Sequence, residues 1–188
     1  MTPRRLAALL VAAALLAAVA WLLTRPWPSV RPHRPAPDFA AITDPGARKA
    51  AFLRWLAPTV VAENQRLARQ RARLERVTAA GQPAPWQERW LATLAHHYRV
   101  PGDLDPAARL DTLRRRLDTI PPRLVLAQAA IESGWGTSRF AREASNYFGI
   151  WTWRGDGLVP EDRAEGAEHT VARYPDAAAS VRVYLFTL

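Results

Sequence analysis

The sequence predicts an α+β protein that is mainly helical, with a small β-hairpin lobe near its C-terminal end and a membrane helix at its N-terminus. Helix-start signals, each followed by apolar residues at helical spacing, recur along residues 44–132. A stretch rich in glycine, aromatic and β-branched residues follows Asn146. An uncharged run, Leu6–Leu23, precedes both. With 188 residues, 49% of them hydrophobic, the chain is large enough for one domain and an appendage.

The uncharged run is long enough to cross a membrane as a helix, because its 18 residues would span about 27 Å. Arg4 and Arg5 precede it and no acid does, which predicts a cytoplasmic N-terminus with the remainder outside the cytoplasmic membrane. Two interpretations stay open. Ala18-Val19-Ala20 has the pattern of a signal-peptide cleavage site. The apolar run continues through Leu23, however, which favours an uncleaved anchor.

The chain therefore divides into a signal or anchor helix at 1–23, a proline-rich linker at 24–38 and a folded domain at 39–188. Five prolines in the linker predict an extended spacer that cannot pack a core. Residues 1–37 contain five arginines and no acid, so they carry +5 of the net charge of +9. The +4 that remains on the body does not indicate nucleic acid as a partner.

Missing residue types and motifs exclude several chemistries. The chain has no cysteine, which excludes a disulfide framework, a thiol nucleophile and a cysteine-ligated zinc. No His-Glu-x-x-His motif is present, and the adjacent His96 and His97 would diverge on a helix, so no metal site is predicted. The absence of a P-loop and of a Gly-x-Ser-x-Gly motif likewise predicts no cofactor.

Proline and aspartate mark the predicted helix starts of the domain, since aspartate caps a helix and proline fits its first turn. Pro58 is expected to interrupt the first, long helix. The last helix ends at Leu188 without a cap, which predicts a chain truncated at its C-terminus. The predicted helices run from Asp44-Pro45 to about Val77, over Trp86–Tyr98, from Asp105-Pro106, from Pro121-Pro122 to Glu132, and from Pro175-Asp176 onward.

The helix that ends at Glu132 has almost no polar face, which predicts a central helix surrounded by others. Gln128 and Glu132 break the pattern and share one side, four residues apart. An apolar environment disfavours an ionised carboxyl, and a carboxyl that stays protonated can serve as a general acid. The alternative is a Glu132 side chain that reaches solvent at the helix end or pairs with an arginine.

Aromatic residues crowd the segment after Glu132, where a β-hairpin is predicted over 148–174. Flat aromatic faces beside amide and hydroxyl groups are typical of sites that bind sugar rings. The alternative is that these rings form core between helices and hairpin, most clearly for Trp135 and Phe148. The aromatic residues in question are Trp135, Tyr147, Phe148, Trp151 and Trp153.

The run QAAIESGWGTSRFAREASNYFGIW, residues 128–151, resembles the bacterial glucosaminidase family of peptidoglycan hydrolases. Residues 37–67 and 157–185 extend the resemblance and are most similar to its Bax-type branch. The resemblance implies a lysozyme-like α+β fold. It also implies an enzyme that hydrolyses the glycosidic bond after N-acetylglucosamine in glycan strands. With the leader, it also implies a location at the periplasmic face of the inner membrane.

The resemblance further implies that Glu132 is the catalytic acid and that Asn146, Phe148, Gly149 and Ile150 shape the cleft floor. The second carboxylate is expected on the hairpin, with Glu161 ranked first and Asp162 second. Two rival functions stay open: a muramidase or lytic transglycosylase, and a non-catalytic peptidoglycan-binding protein. The expected substrate-binding residues are Gln128, Trp135, Asn146, Phe148, Trp151 and Trp153.

Overall fold

Six α-helices and a two-stranded antiparallel sheet make up the part of the chain that this computed structural model describes. The described residues are 35–79, 81, 83–155, 157–161, 166 and 168–188. The prediction of a mainly helical α+β fold with a small β-hairpin is confirmed. The elements are α1 (Pro45–Ala79), α2 (Pro85–His97), α3 (Pro106–Arg116), α4 (Pro122–Glu132), α5 (Arg139–Ala144), β1 (Trp151–Thr152), β2 (Thr170–Val171) and α6 (Ala177–Thr187).

Aspartate side chains cap three of the helices at the predicted places. Asp44 Oδ1 accepts the Ala47 N–H at 2.6 Å in the first turn of α1. Asp105 accepts two N–H groups at the start of α3, and Asp176 accepts one at the start of α6. Each bond satisfies a backbone donor that has no partner inside its own helix.

The first helix is continuous through Pro58, so the predicted interruption there is wrong. Pro58 lacks the N–H that would bond to the Arg54 carbonyl. Both residues lie on the exposed side of α1, where water can satisfy that carbonyl. The apolar side of α1, with Phe52, Leu56 and Val60 fully buried, holds the helix against the core.

The core forms where α1 packs against α4 and α6. Apolar side chains fill this region, among them Phe39, Leu117 and Val181, each 2% exposed or less. One ion pair crosses it: the Arg182 guanidinium on α6 makes two bonds, 2.7 and 3.0 Å long, to the Glu63 carboxylate on α1. This bidentate pairing leaves the Glu63 carboxylate satisfied although it is buried.

The prediction that α4 is surrounded on all sides is wrong. Val125, Ala129 and Ala130 are buried against the core, but Leu124 is 48% exposed and Ile131 is 72% exposed. Composition alone does not distinguish a surrounded helix from one that leaves an apolar face in solvent. Apolar residues on the outer side of α4 thus account for the uniform pattern.

The hairpin lobe sits on the short helix α5, which the sequence pattern did not predict. In the sheet, Trp151 pairs with Val171 and Thr152 pairs with Thr170. An isolated bridge adds Leu158 opposite Val171. Leu158, Val171 and Ala144 of α5 form a separate small core under the lobe.

No helix of the described residues is long and apolar enough to cross a membrane. The predicted membrane helix at 1–23 and residues 24–34 of the predicted linker lie outside the described residues.

Candidate active site

Glu132 is the last residue of α4, and the turn that follows fixes its position. Ser133, which is fully buried, donates its hydroxyl to the Ala129 carbonyl and accepts the Gly136 N–H at 2.9 Å. The Trp135 N–H reaches back to the Ala130 carbonyl at 2.8 Å. These bonds close the C-terminal end of α4, so Glu132 is held on an ordered helix end and not on a loose loop.

Three successive residues of this turn, Gly134, Trp135 and Gly136, have left-handed φ angles of 56°, 61° and 80°. Glycine is required at 136, because an added Cβ would lie 2.4 Å from a ring carbon of Phe39. Trp135 packs edge-on against Phe52 at 6.0 Å, and Lys49 Nζ lies 5.3 Å from the centre of its indole ring. The aromatic core therefore holds the Ser-Gly-Trp-Gly turn in place.

The Glu132 side chain is exposed, and the prediction that apolar surroundings desolvate it is wrong. The alternative, a carboxyl reaching solvent at the helix end, is the one observed. Its Oε2 atom lies 3.6 Å from the position that a Cβ on Gly149 would occupy. Gly149 is therefore next to the carboxylate, on the side where the hairpin lobe begins.

Tyr184 of α6 lies close enough to Glu132 to be influenced by its charge. Burial raises the pKa of the Tyr184 hydroxyl above its ordinary value, and the negative charge of Glu132 raises it further. The hydroxyl therefore keeps its proton at neutral pH and is available as a donor. Phe148 stacks on the Tyr184 ring with centroids 4.1 Å apart and planes 7° from parallel.

Tyr184 is a candidate site residue that sequence reasoning missed. Its spacing with Val181, Leu185 and Leu188 placed it among the core residues of the last helix. The structure leaves it half-buried at the edge of that core. A tyrosine in an otherwise aliphatic stripe was the available signal, because its hydroxyl needs a polar environment.

Asn146 is 1% exposed and acts as a brace within the lobe. Its amide nitrogen donates to the Ile150 and Ala172 carbonyls, both at 2.9 Å. Its oxygen accepts the N–H groups of Phe148 and Ile150 at 3.3 and 3.1 Å. All four bonds go to backbone, so Asn146 shapes the loop that carries Gly149 and ties it to the strand end.

The two tryptophans of the hairpin are in solvent, in contrast to Phe148, which is buried. Trp151 is 45% exposed and Trp153 is 73% exposed. The His169 ring lies between them, 4.5 Å from the Trp151 ring and 6.3 Å from the Trp153 ring. We call these three residues the aromatic face of the hairpin. Exposed flat rings of this kind are suited to contact with the apolar face of a sugar.

The remaining predicted site residues lie around this arrangement. Gln128 is half-buried on α4, one turn before Glu132. Glu161 extends from the hairpin lobe with its side chain 81% exposed, 3.3 Å from the Arg139 guanidinium. Asp162 lies outside the described residues. Among the residues that are described, no three His, Cys, Asp or Glu side chains form a group that could hold a metal ion.

Comparison with known proteins identifies a family and a relative for this part of the chain. Residues 109–188 match the glucosaminidase family, described as mannosyl-glycoprotein endo-beta-N-acetylglucosaminidase. Protein bax of Escherichia coli (strain K12) is 34% identical over 153 residues, which cover 81% of this chain and 54% of that protein. The chain thus spans about half the length of this curated relative. No solved structure matches the chain.

Residues 109–188 form a domain of the glucosaminidase family, and the family points to a glycosidase. Within that family, the similarity to the Escherichia coli protein supports a Bax-type protein. The matched residues 109–188 include Glu132, the loop braced by Asn146, the hairpin and Tyr184. The resemblance stated from the sequence is therefore confirmed.

Proposed function

We propose that this protein is a peptidoglycan hydrolase that cleaves the glycosidic bond after N-acetylglucosamine in glycan strands. The observation that carries the proposal is the placement of Glu132. Its carboxyl stands at an ordered helix end, exposed to solvent and next to Gly149. Tyr184 and the hairpin lobe belong to the same region of the family match.

Glu132 acts as the general acid in this proposal and protonates the oxygen of the leaving sugar. Its exposure suits a substrate that binds in an open groove, since a polymer must reach the carboxyl from solvent. A bound glycan excludes water from the carboxyl and brings the leaving oxygen to it. We assign the Tyr184 hydroxyl, which is near enough to feel the charge of Glu132, the role of orienting the carboxylate or a polar group of the sugar.

The attacking group is a water molecule or the acetamido oxygen of the substrate. In glycosidases with two carboxylates, a second acid activates the water or acts as the nucleophile, depending on its distance from the first. Glu161 and then Asp162 are the residues proposed for this role. If the acetamido group attacks, these acids are dispensable, and Glu161→Gln retains activity while Glu132→Gln does not.

The exposed rings of the aromatic face supply the platform for the glycan. Trp151 stands on β1 and Trp153 follows that strand directly, and both rings lie near His169. Sugars stack on such rings through their C–H faces while their hydroxyls stay hydrated. The packing of Trp135 and Phe148 and the backbone bonds of Asn146 hold the site in place. Gln128 supplies an amide one turn before Glu132 on α4.

The apolar leader is proposed to tether the protein to the membrane at its periplasmic face, or to be cleaved after export. Residues 1–37 hold five arginines and no acid around an uncharged run, which is the basis of this proposal. Either route places the domain on the side of the membrane where peptidoglycan lies. Fractionation of cells that produce the full chain distinguishes the two by the size and location of the product.

The test replaces Glu132 with Gln, which keeps size and polarity but cannot donate an acidic proton. We expect a cell-wall zymogram to show no clearing for Glu132→Gln and normal clearing for the control Glu88→Gln, an exposed carboxylate on α2. Both variants should melt within about 2 °C of wild type, because each replaces an exposed side chain. Equal clearing by wild type and Glu132→Gln would end the proposal.

Mass spectrometry of the released fragments separates this proposal from its rivals. A glucosaminidase leaves a new reducing N-acetylglucosamine end. A muramidase leaves reducing N-acetylmuramic acid, and a lytic transglycosylase leaves its anhydro form. Binding to sacculi without soluble fragments, by wild type and Glu132→Gln alike, would identify a peptidoglycan-binding protein instead.

A further inference from the structure

Arg139, the first residue of α5, links that helix to the far side of the hairpin lobe. Its Nη2 donates to the Val159 carbonyl at 2.6 Å, twenty residues along the chain. Its Nε lies 3.3 Å from the Glu161 carboxylate, and its Nη1 lies 3.9 Å from Glu143 on its own helix. One guanidinium therefore contacts both the backbone and the carboxylate of the segment 159–161.

The Arg139 side chain is more buried and makes more contacts than its partner Glu161. Ser138 caps α5 by accepting the Ala141 N–H at 3.2 Å. The guanidinium carbon lies 5.1 Å from the centre of the Phe140 ring, which packs against the small core of the lobe. Only 30% of the Arg139 side chain is exposed, against 81% for Glu161. The arginine is thus the fixed partner, and the glutamate depends on it for its position.

An exposed ion pair by itself contributes little, commonly about 0–1 kcal/mol. Here the planar fork of the guanidinium binds a backbone carbonyl and a carboxylate at once, which sets direction as well as distance. A lysine has one charged centre and cannot reproduce both contacts. The arrangement is therefore suited to placing a side chain, which a simple surface ion pair is not.

We propose that Arg139 is a positioning residue that holds the segment 159–161, and with it the Glu161 carboxylate, at a defined place for glycan hydrolysis. This inference rests on the proposed function and adds to it a residue that acts through Glu161. Arg139 touches neither the leaving oxygen nor the acid Glu132 in this assignment. Its effect is on the geometry of the second carboxylate.

The kinetic test compares Arg139→Met and Arg139→Lys with wild type on a soluble glycan of defined length. We expect Arg139→Met to lower kcat about 10- to 100-fold, the range that misplacing a reacting group produces, with KM changed less than about threefold. Arg139→Lys should fall between Met and wild type. The matched control is Arg173→Met, which removes a 2.9 Å bond from the lobe to the Glu143 carbonyl but makes no contact with 159–161.

A double-mutant cycle shows whether Arg139 works through Glu161. In a Glu161→Gln background, adding Arg139→Met should lower kcat less than about twofold further, because the group being positioned is already lost. An equal further loss in that background would overturn the inference. An unchanged kcat in Arg139→Met or in Glu161→Gln would also overturn it. So would a loss of kcat in the control Arg173→Met as large as that in Arg139→Met.

A second measurement reports on position without using activity. The chain has no cysteine, so Val159→Cys, at a half-exposed position, takes a single nitroxide label. Electron paramagnetic resonance should show a more mobile label in Arg139→Met and an unchanged one in Arg173→Met. If wild type does not cleave glycans, the proposed function fails, and with it the catalytic purpose of Arg139. A label equally mobile with and without Arg139 overturns the positioning itself.

Discussion

The helical core and the hairpin lobe are held together by different kinds of interaction. Where α1, α4 and α6 meet, contacts are mostly apolar, and residues such as Phe52, Leu56 and Val181 are fully buried. Among the described residues of the lobe, two positions pair in the sheet and three buried residues form its core. Side chains bonded to backbone, above all Asn146 and Arg139, replace the missing apolar contacts.

Because of this difference, we expect the helical core to determine stability and the hairpin lobe to determine activity. Apolar burial contributes free energy over a large area, whereas a hydrogen-bonded brace contributes less energy but fixes geometry closely. The lobe carries the exposed rings and Glu161, and the core carries the helix end that presents Glu132. Changes in the core should therefore lower stability first, and changes in the lobe should lower activity first.

The largest effect on stability is expected from Phe52→Ala. Phe52 is fully buried and lies within 6.5 Å of the rings of Phe39, Trp55, Trp135 and Tyr147. Removing the ring leaves a cavity at the centre of this cluster, and we expect a loss of about 3–5 kcal/mol in the free energy of unfolding. Urea denaturation measures it. The control Leu53→Ala, on the same helix at a 37% exposed position, should lose much less.

A smaller loss of stability, with a larger loss of activity, is expected from Asn146→Ala. Four backbone groups lose a bond, most of them only partly buried, and the Ile150 carbonyl keeps its bond from the Ala172 N–H. We therefore expect a cost of about 2–3 kcal/mol, because water can enter beside the loop to satisfy the groups that are left. Glycan cleavage should fall well beyond what that loss explains, since Gly149 in front of Glu132 is on the same loop.

The variant Asn146→Asp distinguishes the bonds that the Asn146 side chain accepts from those that it donates. An aspartate keeps the oxygen that accepts from Phe148 and Ile150 but cannot donate to the Ile150 and Ala172 carbonyls. If the link to Ala172 is what matters, Asn146→Asp should be as inactive as Asn146→Ala. Wild-type activity in both variants would show that the brace has no bearing on the site.

Periodicity and capping chemistry predicted five of the six described helices, all but α5, because both signals are local. Asp44, Asp105 and Asp176 cap helices within three residues of themselves, and the buried stripe of α1 follows from its own spacing. The exposure of Glu132 was not predictable in that way. It depends on which side of α4 the other helices cover, and the uniform apolar pattern of α4 carries no such information.

The side chain–backbone bonds of Arg139 and Asn146 in the lobe were not predictable for the same reason. Arg139 bonds to a carbonyl twenty residues away, and Asn146 bonds to one twenty-six residues away. A carbonyl has the same form in every residue, so the sequence gives no sign of which one an arginine or asparagine will reach. Asn146 was identified only because its motif resembles the family, and its bracing role required the structure.

The smallest effect on stability, and the sharpest test of the contrast between core and lobe, is expected from Trp153→Ala. The side chain is 73% exposed and its ring contact is with His169, so the free energy of unfolding should change by less than about 0.5 kcal/mol. If Trp153 stacks on the glycan, KM should rise about 3- to 10-fold, the equivalent of one aromatic contact, while kcat changes little. Steady-state kinetics on a soluble glycan measures both.

The matched control is Trp86→Ala, a tryptophan on α2 that is 57% exposed and lies beside Arg73 of α1. Its removal deletes a similar area of exposed ring outside the lobe, so KM should stay at the wild-type value. Equal effects of the two substitutions on KM would mean that exposed tryptophans bind glycan wherever they stand. The aromatic face would then have no special relation to Glu132, and the lobe would be a support for the helical core alone.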